Sequence, residues 1–129
     1  MGNYSHTEGQ LTKAQGNHSH AEGRGTNAEG NASHAEGGYT LVKGEYSHAE
    51  GYQTRATGYA SHTEGRATRV TNDSNVTPTA TVEQTNGYCG HAEGYGTVSY
   101  GAVSHAEGNG TIASGAHSHA EGNATQAKG

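Results

Sequence analysis

Eight times along 129 residues a histidine stands two positions before a glutamate, and a glycine follows the glutamate each time. The pairs are His6/Glu8, His20/Glu22, His34/Glu36, His48/Glu50, His62/Glu64, His91/Glu93, His105/Glu107 and His119/Glu121. Imidazole beside carboxylate can do three kinds of chemistry. Imidazoles brought to one level can offer nitrogen ligands to zinc or nickel. A histidine held by a carboxylate is a general base with its orienting group, although eight copies with no distinctive nucleophile argue against an active site. Histidine also titrates near neutrality, so a column of them is a pH sensor. The bland rival is a hydrogen-bonded ladder that binds nothing. The residues favour that rival: no catalytic residue, no metal site and no cofactor is expected.

What positions the pairs is a period of seven. Glycine recurs at every seventh residue from Gly2 to Gly65, and again from Gly87 to Gly129 after a slip of one residue. The heptads alternate between S-H-A-E-G, as in Ser19–Gly23, and T-x-A-x-G, as in Thr12–Gly16, so the unit is 14 residues. Repeats of this kind decide the fold before anything else does. Helix is excluded, because glycine at every seventh position costs about 1 kcal/mol each against alanine. Strand fits. Ser or Thr, then Ala, then Gly fall on alternate positions and share one face, while His and Glu share the other. Glycine and the two residues after it, often Asn, supply the left-handed backbone of a tight turn. Each unit is strand, turn, strand, turn. Coils stack in register about 4.8 Å apart.

Composition supports that answer and removes others. Leu, Ile and Val total nine and Phe is absent, so a core of large side chains is ruled out. A chain so poor in them normally reads as disordered, and only the repeat argues otherwise. A formal charge of −5 offers no basic field to nucleic acid. No apolar run approaches the roughly 20 residues that span a bilayer, and Met1–Ser5 opens no signal peptide. Cys89 is the only cysteine, so no internal disulfide is possible. Asp73 is the only aspartate, which excludes the calcium-binding solenoid repeat. The regular Thr points inward, so the flat exposed array of an ice-binding surface is missing.

The 14-residue unit, x-x-S-x-A-x-G twice over, resembles the β-roll head of YadA-like trimeric autotransporter adhesins. Its S-H-A-E-G wording is also similar to repeats of phage tail-fibre and appendage proteins. The resemblance covers nearly the whole chain except 73–87. It implies an all-β, left-handed parallel β-roll whose three copies pack around a threefold axis. The positions that are aliphatic at that axis in the family match the sixteen His and Glu named above, so a His/Glu ladder replaces a dry trimer core. One repeat domain over 1–129 is expected, with about nine coils: regular over 3–72 and 88–129, and an irregular rung or loop excursion over 73–87, which holds the only proline. The expected role is a structural and adhesive segment of an extracellular fibre, on a bacterial surface or a phage virion, with no catalysis. Partners would be the homotrimer and a host-surface protein or glycan, with no nucleic acid and no membrane insertion. The alternative is a filament subunit that grows by end-to-end stacking.

Three finer expectations follow. Cα geometry puts His and Glu of one rung about 7 Å apart, too far to pair directly, so pairing should run between chains. Such pairing would raise the histidine pKa and make mildly acidic solution the most stabilising. Tyr4, Tyr39, Tyr46, Tyr52, Tyr59, Tyr88 and Tyr95 should stack along the turns, and Cys89 should be an inert turn thiol.

Overall fold

Small residues at alternate positions leave a sheet face with almost no height, and two such faces can close on each other within a few ångströms. The computed structural model describes residues 1–71 and 88–128, and these are all-β with no helix. Two eight-stranded parallel sheets run the length of the molecule. The first holds β1 (His6–Gln10), β3 (His20–Arg24), β5 (His34–Ala35), β7 (His48–Ala49), β9 (His62–Arg66), β11 (His91–Tyr95), β13 (His105–Asn109) and β15 (His119–Asn123). The second holds β2 (Lys13–Ala14), β4 (Asn27–Ala28), β6 (Leu41–Val42), β8 (Arg55–Ala56), β10 (Arg69–Val70), β12 (Val98–Ser99), β14 (Ile112–Ala113) and β16 (Gln126–Ala127). The chain alternates between the sheets, one strand of each per coil. This is a parallel β-solenoid.

Register is strict. His6 pairs with His20 and Glu8 with Glu22, and the same identities face each other up the stack. Hydrogen bonds run from rung to rung, as in His20 N–H to the Ser33 carbonyl at 2.9 Å and His34 N–H to that of Ser47 at 2.9 Å. Between the sheets lie Ala14, Ala21, Ala28, Ala35, Val42, Ala49 and Ala56 in one unbroken file, all fully buried. Val42 and Val70 are the largest fully buried side chains among the described residues. Serine closes one turn of most coils from inside: Ser19 and Ser33 each donate to the carbonyl of the glycine three residues back, at 2.6 Å.

Three expectations need correction. About nine coils were expected, and the described residues form eight. His62 pairs directly with His91, and Arg69 with Val98, so no further rung lies between those levels. The expected irregular rung or excursion at 73–87 lies outside the described residues.

The second correction concerns which glycines face inward. Those of T-x-A-x-G, such as Gly16 and Gly30, are buried as the alternation requires. Those of S-H-A-E-G are exposed, with φ between +97° and +109°. A side chain at Gly23 would sit 2.1 Å from the Gly37 carbonyl oxygen above it.

The third concerns the turns. Left-handed backbone was expected of glycine and the two residues after it, often Asn. It falls on the S-H-A-E-G glycines and on the second residue after the repeat glycines whatever its type, including Tyr4, Leu11, His18, Gln53, Cys89 and Val103, but on none of the described asparagines. The hydrogen bond between equivalent turns accounts for it: His18 N–H donates to Asn3 O at 2.8 Å and Ala32 N–H to Asn17 O at 2.8 Å. Ladder geometry dictates the turn, and the residue accepts the strain. Asparagine instead braces neighbouring rungs through its side chain, with the Asn3 and Asn17 amides donating to the Oδ1 of Asn17 and Asn31.

A candidate ion ladder of histidine and glutamate

On the first sheet His and Glu alternate with inward Ala or Thr, so both columns stand on the outer face. In-register pairing puts each imidazole over the next. From His20 to His119 the rings stack nearly parallel, with centroids 4.7–5.0 Å apart and planes within 7°. His6 closes the column edge-on, at 71° to His20. Glu50, Glu64, Glu93, Glu107 and Glu121, with the exposed glycines beside them, line a shallow groove along the sheet.

All sixteen residues singled out from sequence fall on this face, but their pairing differs from expectation. Within one rung the His Nε2 comes to 3.6–3.9 Å of the Glu carboxylate, at rungs 20/22, 34/36, 48/50, 62/64 and 91/93. At the far end the bridging also runs between rungs: His105 to Glu93 at 3.6 Å and His119 to Glu107 at 3.4 Å. The Cα estimate missed this because two long side chains lean together above the strand.

These contacts are ion-pair distances and not hydrogen bonds, which need about 2.7–3.2 Å. The Nε2 atoms of His20, His34, His48, His62, His91 and His105 are shut off from solvent and have no hydrogen-bond partner among the described residues. The electrostatics also run against expectation. Burial, then the neighbouring imidazoles His34 and His62, push the His48 pKa below its usual value, against the opposing pull of Glu50 and Glu36. His91 is lowered likewise by burial, His62 and His105, against Glu93 and Glu64.

The second sheet presents no such order. Its outer face carries Lys13, Asn27, Leu41, Arg55, Arg69, Val98, Ile112 and Gln126, the mixture of an ordinary solvated surface. The tyrosines meet at the turns, but of these pairs only Tyr59 and Tyr88 stack, at 5.3 Å; Tyr46 meets Tyr59 edge-on at 5.5 Å and Tyr39 meets Tyr52 edge-on at 5.9 Å. Arg66 lies over both Tyr52 and Tyr95, a contact not anticipated from sequence and legible only once Arg66, Tyr52 and Tyr95 are placed on adjacent rungs. Cys89 is exposed at a turn. No protein-family model and no curated protein sequence matches the chain.

Proposed function

We propose that this chain is a rigid, non-catalytic segment of a trimeric extracellular fibre, on a bacterial surface or a virion, built from left-handed rolls whose His/Glu faces meet at a threefold axis. The observation that supports it most is the uniform first sheet: eight rungs present the same two groups in the same register, a surface suited to a partner that repeats at the same interval. The core argues the same way. A file of alanines buries little apolar area per residue, at roughly 25 cal/mol per Å², so packing three chains together would supply what one lacks. The resemblance to adhesin heads and tail-fibre repeats points to that assembly and to a host-surface protein or glycan as the adhesive target. Mass measurement tests it. A species of three times 13.2 kDa, unchanged over a hundredfold dilution, supports the trimer; a stable monomer overturns it.

End-to-end filament growth is the second reading. It is favoured by the four outer strands β1, β2, β15 and β16, which each have a neighbour on one side only within this chain. Unpaired edges accept further strands. Mass that rises without limit as concentration rises selects it.

A further inference from the structure

We propose that the outer face of the first sheet is a row of transition-metal sites, in which divalent ions of the zinc class sit between imidazole nitrogens and carboxylate oxygens of successive rungs. Every ligand comes from one chain, so the proposal stands whether or not three chains assemble.

The distances carry it. A nitrogen and an oxygen bound to one tetrahedral ion at bonds of about 2.0–2.1 Å lie about 3.4 Å from each other. The His–Glu contacts of the column, 3.4–4.0 Å, are too long for hydrogen bonds and close to that edge length. The Nε2 atoms of His20, His34, His48, His62, His91 and His105 point at carboxylates, are hidden from solvent and have no hydrogen-bond partner among the described residues. A metal ion would satisfy the lone pair of each neutral imidazole. Among the described residues, four separate groups bring three ligand atoms within 4.8 Å of one another: His34–Glu36–His48, Glu50–His62–Glu64, His91–Glu93–His105 and Glu107–His119–Glu121. The groups alternate between two imidazoles with one carboxylate and one imidazole with two. Three protein ligands leave a position for water or for a ligand from a neighbouring chain.

Charge and protonation favour the same occupant. Carboxylates stacked about 4.8 Å apart repel, and every ion pair made by a described carboxylate of the column is with an imidazole that is uncharged when neutral. Metal ligation needs the neutral ring, so binding should strengthen as pH rises through the histidine range. Imidazole selects zinc, nickel or copper over magnesium and calcium, which prefer oxygen alone.

The test uses the untagged chain, stripped with chelator and titrated with Zn²⁺ at pH 7.5, with bound metal counted after desalting. About four ions per chain, one for each group, a higher melting temperature reversed by chelator, and no comparable effect of Mg²⁺ are expected. The double variant Glu36→Gln, Glu50→Gln should lose two of the four. His18→Gln with His117→Gln, both off the column, should lose none. Retention of no zinc, equal binding of Mg²⁺, or a count insensitive to the glutamate changes would overturn the proposal. Should the glutamate variant fail to fold, Co²⁺ on the native chain decides. An intense visible spectrum of low-coordinate cobalt upholds the sites, and the weak octahedral spectrum of the hydrated ion removes them.

Discussion

His48 and His91 are shaped first by burial and then by the imidazoles above and below, and this sets how they answer to acid. Both have folded pKa values below the usual value of 6.5, so between the two values the unfolded chain binds more protons than the folded one. Stability therefore rises with pH there. The contribution is fully present above about pH 7.5 and is lost as pH falls through about 6.5 toward the lower folded values. Metal-free protein should melt at a lower temperature at pH 5.5 than at pH 7.5; the reverse order would contradict the direction of the shift. Inside the roll, Ala35 is fully buried, and Ala35→Leu should overfill the space at a cost of about 1–3 kcal/mol or more. Lys13→Ala on the outer face should stay within about 0.5 kcal/mol, and denaturant midpoints would separate the two. The inward Ser, Thr and Ala were legible from sequence because alternation assigns them, whereas the S-H-A-E-G glycines, placed inward by the same rule, are exposed. The His–Glu contact was not legible, since it depends on side-chain torsions that Cα spacing leaves free.

A coil is two short strands and two turns, and the turns hold the strain. Val103 is β-branched and sits at φ +55°, a conformation that costs an L-residue roughly 1–2 kcal/mol. Val103→Asn should therefore raise stability by about 0.5–1 kcal/mol, read as a shift in the denaturant midpoint. The opposite holds at Gly23, at φ +106° with the Gly37 carbonyl oxygen 2.1 Å from any added side chain. Gly23→Ala should disrupt the stack locally, whereas Gly110→Ala, with nothing within 4 Å, should be tolerated far better. Circular dichroism and melting of the two variants would show the contrast. The strands were legible from the heptads. The turns were legible too, but not the part of asparagine in them: it is a usual left-handed residue, yet here the bond between equivalent turns selects the second residue after glycine and overrides side-chain preference.

At the scale of the whole molecule, coils are interchangeable and faces are not. Removing residues 20–33 joins Ser19 to His34 and leaves every remaining rung in register, so the shortened chain should fold with the same spectrum and a modestly lower melting point. Removing 20–32 slips the frame by one residue and turns the small face outward; that chain should lose the β signal. The solenoid was legible because a 14-residue period admits few folds. The coil number was not, because the frame slip at 65–87 is long enough to hold a rung, and only the pairing of His62 with His91 shows that none intervenes. The direction of the rung-to-rung hydrogen bonds has a mechanical consequence. They lie along the long axis, so tension applied at the two ends opens them one coil after another and never shears them all together. Each opened coil would release 14 residues, about 46–50 Å of contour, in exchange for one step of about 4.8 Å. Stretched alone, the molecule would pay out slack at a nearly constant, modest force, as a shock-absorbing tether does.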